Sequence, residues 1–94
     1  MERTVTVVPE KGLHARPASE FVQTASEFDA TVTIAPVDDH ASSARGDSML
    51  AVTSLGVRGG DDVRLTADGS DAEAALDALE SVLNTPAEEL DEES

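Results

Sequence analysis

The sequence has no cysteine, tryptophan or tyrosine, and its only aromatic residues are Phe21 and Phe28. Without cysteine there is no disulfide framework, no thiolate chemistry and no Cys-based zinc site. Two aromatics cannot form a surface on which nucleic-acid bases stack, and the core has to consist of Val, Leu, Ile and Ala. No apolar run resembles a signal peptide or a membrane span, so we expect a cytoplasmic protein with no direct membrane insertion.

Positive charge is also scarce. Six Lys and Arg residues stand against 20 Asp and Glu, the formal net charge is -14, and Lys11 is the only lysine. A surface of this sign repels phosphate backbones and anionic lipids, so neither nucleic acid nor a membrane surface is an expected partner. Such a composition is expected of a protein that stays soluble in very high salt. A halophilic source is the preferred explanation, and an ordinary acidic cytosolic protein is the alternative.

The length of 94 residues allows one domain with one modest core. We place this domain at residues 1–84. Residues 85–94 are acidic with little apolar content, and we expect a disordered tail there because the segment buries too little surface to offset its ordering entropy. The chain has no heptad pattern and no long exposed apolar strip, so we expect a monomer.

Hydrophobic periodicity predicts four strands and three helices in the order β-α-β-β-α-β-α. The predicted strands cover residues 3–8, 30–35, 41–45 and 63–67, and the predicted helices cover 15–28, 48–55 and 70–83. Pro36 is expected to break the second strand, Asp47 or Ser48 to cap the short helix, and Ser70 with Glu73 to form a capping box. The expected fold class is α+β, a mostly antiparallel sheet with the helices on one face and solvent on the other.

The candidate chemistry lies in Gly12-Leu13-His14-Ala15-Arg16-Pro17-Ala18, between the first strand and the first helix. Pro17 has its φ preset for a first helical turn, so His14 falls just before the helix N-terminus. We expect the backbone of Arg16, Pro17 and Ala18 to form a phosphate-binding turn, because a helix N-terminus favours anions. The Arg16 guanidinium can hold phosphate oxygens through two parallel hydrogen bonds.

His14 is the candidate phosphoryl acceptor. Neutral imidazole is a nucleophile, and an ordinary pKa of about 6.5 leaves much of it neutral near pH 7. A lone histidine before a helix is more often a cap or a surface residue. The interpretation therefore depends on the whole arrangement of glycine, histidine, arginine and proline.

This stretch resembles the phosphorylation motif of the HPr family, the phosphocarriers of the sugar phosphotransferase system, and matches it throughout Gly12–Ala18. The resemblance extends over residues 3–83 and includes Ser54-Leu55-Gly56. It implies an open-faced β-sandwich in which His14 takes phosphate from Enzyme I on a ring nitrogen and passes it to an EIIA component for coupled sugar uptake. Arg16 would coordinate the phosphoryl group. Neither a cofactor nor a metal is implied, and the chain would be a transfer component rather than a stand-alone enzyme.

The resemblance also implies a partner surface. Met49 and Leu50 align with the apolar patch through which HPr proteins dock, and Ala15 and Ser19 would border it. Core packing of a short helix is the alternative for Met49 and Leu50. Ser48 aligns with a serine that a regulatory kinase phosphorylates in some bacterial relatives, but a simple N-cap is the preferred interpretation.

One departure from the family concerns charge around the site. Better-known relatives have lysines where this chain has Gln23, Ser26 and Ala51. At molar salt the Debye length is about 3 Å, so steering by lysines would have little effect there. Apolar contact at Met49 and Leu50 is then expected to contribute more of the recognition.

Two other functions stay open at this point. An HPr-like regulatory protein would signal by its phosphorylation state without feeding sugar uptake, and an Enzyme I and a permease encoded nearby would favour transport instead. A binding or structural α+β domain would have no phosphate chemistry. Asp38, Asp39 and His40 suggest a metal site, but adjacent turn residues rarely converge on one ion, so we expect a solvated loop and no metal.

Overall fold

The computed structural model describes residues 1–8, 16–38 and 43–85. Its elements are β1 (Glu2–Thr6), α1 (Arg16–Ser26), β2 (Thr31–Pro36), β3 (Ala44–Arg45), α2 (Met49–Ser54), β4 (Asp62–Asp68) and α3 (Ala72–Leu83). The predicted order of strands and helices is confirmed.

The four strands form one open sheet with the spatial order β1-β4-β2-β3, and all pairs are antiparallel. The central strand β4 alternates between buried and more exposed side chains. Because side chains on a strand point to opposite faces in turn, Val63 and Leu65 lie on the helix-covered face, and Arg64 and Thr66 lie on the open face. The α+β fold with three helices on one face is therefore confirmed.

The core between the sheet and the helices is aliphatic apart from the ring of Phe21, which is fully buried. Helix α1 contributes Ala18, Phe21 and Ala25 at the spacing of one helical face. Helix α3 contributes an apolar stripe of the same kind, made of Ala72, Ala75, Leu76, Leu79 and Leu83. Burial of these two stripes fixes the direction in which each helix crosses the sheet.

The first strand is shorter than predicted, because it ends at Thr6 rather than Val8. The apolar pattern predicts a strand through Val7 and Val8, but their backbone N–H groups bond to other parts of the chain. The N–H of Val7 donates to the carbonyl of Asp61 at 2.9 Å, and the N–H of Val8 donates to the carbonyl of Leu83 at 2.8 Å. Alternation of apolar residues cannot distinguish these loop contacts from ladder pairing.

Other predicted boundaries also differ by a few residues. Pro36 is the last residue of β2 instead of breaking it, since a proline without an N–H is tolerated where a strand ends. Helix α1 ends at Ser26 rather than Phe28. Strand β3 contains only Ala44–Arg45, whereas residues 41 and 42 of the predicted strand lie outside the described residues.

The predicted capping box of α3 is wrong. The N-cap residue is Asp71, its side chain makes no capping bond, and the helix begins at Ala72. The Asp71 carboxylate instead accepts hydrogen bonds from the backbone N–H groups of Asp29 and Ala30, both at 2.8 Å. Tertiary contact with the turn just before β2 therefore takes the place of a local cap.

The C-terminal end of α3 follows the prediction, because the helix ends at Leu83 and Asn84 is its C-cap. Thr85 still bonds to this last turn, with its hydroxyl donating to the carbonyl of Ser81 at 2.7 Å. Residues 86–94 of the predicted tail lie outside the described residues.

Arg3 joins the edge strand β1 to α3. Its Nη1 lies 2.6 Å from Oδ1 of Asp77 and 3.0 Å from Oε1 of Glu80. The hydrogen bond with Asp77 is the largest cause that raises the pKa of Arg3 above its usual value. The strand that leads toward the candidate motif is thereby fastened to the helical layer.

The turn between β3 and α2 needs a glycine at position 46. The N–H of Gly46 donates to the carbonyl of Val32 at 2.8 Å. A Cβ on Gly46 would lie 2.8 Å from Cγ1 of Val32 and 3.3 Å from Cε1 of Phe21. The turn can therefore lie this close to the core only because residue 46 has no side chain, and this contact sets where α2 begins.

Gly46→Ala is expected to lower the free energy of unfolding by about 1–3 kcal/mol, because the added methyl group overpacks the contact with Val32. Urea denaturation measures the change. The matched double variant Gly46→Ala/Val32→Ala makes room for the methyl, so its cost should be smaller than the sum of the two single costs. Strictly additive costs would contradict the proposed clash.

Candidate functional site

The candidate motif lies partly within the described residues. Arg16, Pro17 and Ala18 form the first turn of α1. His14 and Ala15, the predicted phosphoryl acceptor and one predicted border of the partner surface, lie outside the described residues.

The first turn of α1 is held in place by the core. Pro17 and Ala18 are buried, and the next turn contributes the fully buried Phe21. Pro17 has no N–H, so the backbone donors of this turn come from the other residues of the motif, Arg16 and Ala18. The turn contains no acidic side chain that would offset the positive end of the helix dipole. This helix end is therefore fixed in position and electrostatically suited to an anion.

The Arg16 side chain lies along the same turn. Its Nη1 is 3.9 Å from Oε2 of Glu20, one helical turn later, and the two side chains are 38% and 37% exposed. An ion pair this long and this exposed is weak, typically below about 1 kcal/mol. The interaction with Glu20 is therefore a small obstacle to a stronger, bidentate interaction of Arg16 with a phosphoryl group.

Helix α2 packs against α1 and begins with a side-chain cap. Ser48 has an extended backbone, and its Oγ accepts a hydrogen bond from the N–H of Ala51 at 3.3 Å. The carbonyl of Ser48 accepts the first helical bond, from Val52, at 2.9 Å. Ser48 is thus the N-cap of α2, as the preferred interpretation of the sequence expected. Its modification by a kinase stays a prediction.

The exposed side of α2 carries two large apolar side chains. Val52 is fully buried and anchors the helix, whereas Met49 is 40% exposed and Leu50 is 78% exposed. Core packing therefore does not account for Leu50, which was the alternative left open by the sequence. On α1, the predicted border residue Ser19 accepts a hydrogen bond from Nε2 of Gln23 at 3.2 Å.

The loop that suggested a metal site is described only in part. Asp38 lies exposed in a turn, and Asp39 and His40 lie outside the described residues. Within residues 1–8, 16–38 and 43–85, no group of three or more His, Asp or Glu side chains is placed to hold a metal ion.

Over the same residues, none of the helices has the length and hydrophobicity that crossing a bilayer requires.

One residue that positions this site, Gly46, could not be predicted from the sequence. A glycine between a short strand and a short helix is a weak signal, because turns contain glycine for many reasons. What distinguishes Gly46 is its approach to Val32 and Phe21, which are 14 and 25 positions away along the chain. Only the tertiary structure brings these residues together.

Comparison with known proteins gives consistent matches. A family model described as "PTS HPr component phosphorylation site" matches residues 1–85. The chain is 65% identical over 86 residues to the phosphocarrier protein HPr of Haloferax volcanii, covering 92% of this chain and 96% of that protein. It is 46% identical over 91 residues to the HPr of Streptomyces coelicolor, covering 97% and 96% of the two chains.

A solved structure gives the same result at the level of the fold. The crystal structure of an HPr from Thermoanaerobacter tengcongensis superimposes with a TM-score of 0.81 at 37% sequence identity. The superposition covers 88% of this chain and 90% of that one.

Ser48→Ala is expected to lower the free energy of unfolding by about 1 kcal/mol, because the N–H of Ala51 loses its capping partner. Thermal or urea denaturation measures this, with Ser48→Asp as the matched variant. Asp caps as well as Ser and adds a negative charge at the helix N-terminus, so stability should be retained. Equal stability of Ser48→Ala and the unmodified protein would contradict the capping role.

Proposed function

The chain belongs to the HPr family of the phosphotransferase system, and from this membership we propose that His14 is the residue that carries its phosphoryl group. The family model, the HPr relatives and the HPr structure support a phosphocarrier function in this system. The observation that favours His14 is its place in the sequence, two residues before the anion-favouring first turn of α1. Neutral imidazole is a suitable acceptor, because a ring nitrogen has a lone pair to attack phosphorus.

The proposed transfer consists of two exchanges at phosphorus. In the first, a ring nitrogen of His14 forms a bond to the phosphorus carried by Enzyme I while the bond between phosphorus and Enzyme I breaks. In the second, a nucleophile on the EIIA component attacks the same phosphorus, and the bond to His14 breaks. Water is not a reactant in either exchange, so the phosphoryl group passes intact from Enzyme I to the EIIA component.

Arg16 and the first turn of α1 have a charge-stabilising role in this proposal. The positive helix end favours the phosphoryl dianion and disfavours the imidazolium form of His14. The Arg16 guanidinium holds two phosphoryl oxygens once it leaves its long contact with Glu20. The same charges thus favour both the reactive neutral histidine and the phosphorylated product.

The proposal extends to the setting in which the chain works. Enzyme I and EIIA are the partners, the exposed Met49 and Leu50 together with Ala15 and Ser19 are the contact surface, and residues 1–84 are the working unit. The protein acts as a monomer in the cytoplasm and needs no cofactor, since the phosphoryl group itself is the cargo.

Incubation with phosphoenolpyruvate and Enzyme I of the same source tests the carrier chemistry. Intact-mass spectrometry in high salt should show one acid-labile phosphoryl mass on the unmodified protein and none on His14→Ala. Arg16→Ala should slow transfer about 10- to 150-fold, because hydrogen bonds to charged groups contribute about 1.5–3 kcal/mol. Arg16→Lys keeps the positive charge but cannot form two parallel hydrogen bonds, so its transfer rate should lie between those of the unmodified protein and Arg16→Ala. A phosphoryl mass on His14→Ala would contradict the assignment.

We also propose that the protein works at high salt. The support is the excess of 20 acidic over six basic residues, with a single lysine. The identity of 65% to the HPr of Haloferax volcanii is consistent with this. At low salt the carboxylates repel one another across the small folded domain, and screening removes most of that repulsion.

The free energy of unfolding is therefore expected to be higher at about 2 M KCl than at about 0.2 M KCl. Urea denaturation at both concentrations measures it. The control variant Glu27→Gln/Asp68→Asn/Glu73→Gln removes three exposed carboxylates and should gain less from salt. Stability that is equal or lower at 2 M KCl would contradict a high-salt adaptation.

A further inference from the structure

Helix α1 carries few charges for a chain with a net charge of -14. Its 11 residues, Arg16–Ser26, include two charged side chains, Arg16 and Glu20, and these have opposite signs. Residues four positions apart lie on the same face of a helix, one turn from each other. The charges of α1 are therefore gathered at one place, and one of them is the arginine of the candidate motif.

Helix electrostatics does not explain this arrangement. A cation in the first turn faces the positive end of the helix dipole, where a carboxylate would be favoured instead. The pair also runs in the weaker direction, because a carboxylate stabilises a helix more when it precedes the cation by four residues than when it follows it. A helix selected for its stability alone would have the two charges exchanged.

The Glu20 side chain has no second polar contact within residues 1–8, 16–38 and 43–85. Its Oε2 lies 3.9 Å from Nη1 of Arg16, and its carboxylate accepts no hydrogen bond in this part of the chain. Glu20 is 37% exposed, whereas its neighbour Phe21 is fully buried in the core. The contact with Arg16 is therefore the interaction that distinguishes Glu20 from an ordinary surface carboxylate.

The Glu20 side chain also extends toward the motif. Side chains on an α-helix lean toward the helix N-terminus, so the Glu20 side chain lies over the first turn, which Arg16 begins. Both side chains of the pair are partly buried, and salt screens such charges less than fully exposed ones. The carboxylate of Glu20 is thus a lasting second anion for the guanidinium that the proposed phosphoryl group needs.

We propose that Glu20 is a positioning residue for the phosphoryl transfer, which holds the Arg16 guanidinium along α1 and competes for it when a phosphoryl group is on His14. This inference rests on the proposed carrier function and adds a residue that adjusts it. A phosphoryl dianion binds a guanidinium through two parallel hydrogen bonds and displaces the longer contact with Glu20. Because that contact is lost, the phosphorylated form is less stable than it would be without Glu20. His14 then passes its phosphoryl group on more readily.

Competition for a limited amount of phosphoryl groups measures this effect. The unmodified protein, labelled with heavy nitrogen, is mixed with an equal amount of unlabelled Glu20→Gln, a trace of Enzyme I and too little phosphoenolpyruvate to fill both. Intact-mass spectrometry at equilibrium, at the lowest KCl concentration that keeps both folded, shows how the phosphoryl group is shared. Glu20→Gln should hold about two- to fivefold more of it, which is the size expected of a partly exposed ion pair.

Two further variants control for charge and length. Glu27→Gln removes the same charge from the exposed turn after α1 and should share the phosphoryl group equally with the unmodified protein. Glu20→Asp keeps the charge on a shorter side chain, so its share should lie between those of the unmodified protein and Glu20→Gln. Urea denaturation of each variant should give nearly the same midpoint, because a merely structural role of Glu20 would change stability rather than the phosphoryl equilibrium.

The same competition between Arg16→Ala and Arg16→Ala/Glu20→Gln shows whether Glu20 acts through Arg16. Without a guanidinium to hold, the two should share the phosphoryl group nearly equally. A full two- to fivefold difference in this background would mean that the carboxylate repels the phosphoryl group directly. That result would overturn the positioning role.

Equal sharing between the unmodified protein and Glu20→Gln would also overturn the role of Glu20, and it would leave the carrier function intact. A phosphoryl mass on neither protein, with an Enzyme I that accepts phosphate from phosphoenolpyruvate, would remove the carrier function and this inference with it. The two failures are therefore distinguished by the same spectra.

Discussion

The burial of Phe21 between the sheet and the helices fixes both helices of the candidate site. The ring is fully buried, and it holds α1 in a position that sets Arg16, Pro17 and Ala18 at the start of the helix. The same ring lies 3.3 Å from the point that a Cβ of Gly46 would occupy, so it also limits where the chain can enter α2. The other aromatic, Phe28, packs against the core but is only partly buried, so Phe21 is the largest fully buried side chain in the described part of the chain.

The order of strands and helices could be predicted because each element buries one face, and burial produces a periodic sequence. The prediction failed where a tertiary contact replaced the local pattern. Val7 continues the apolar alternation of β1, but the N–H groups of Val7 and Val8 donate to the carbonyls of Asp61 and Leu83. The N-cap of α3 is Asp71, whose carboxylate bonds to the turn just before β2, so the capping box of Ser70 and Glu73 is not used. Such contacts join residues far apart in the chain, and no local pattern encodes them.

The candidate site, too, could be predicted from the sequence only in part. The motif around His14 could be recognised from sequence, since its residue types and spacing combine a candidate acceptor, a helix start and a guanidinium. Exposure could not be predicted, because Leu50 and Val52 are both apolar residues of a six-residue helix, and one is 78% exposed while the other is buried. Only the position of α2 over the core separates a side chain that anchors the helix from one that is exposed to solvent.

The strand order has a consequence for how the chain reaches its native state. The N-terminal strand β1 does not pair with the next strand in the sequence but with the last one, and the amino group of Met1 bonds to a carbonyl 66 residues away. Closing so long a loop costs conformational entropy before the hydrogen bonds between the two strands can form. Folding is therefore slower than for a sheet of consecutive hairpins. During synthesis β1 leaves the ribosome before β4 and cannot form its strand pairing until β4 has emerged. The edge of the sheet is therefore completed late, after most of the chain has been made.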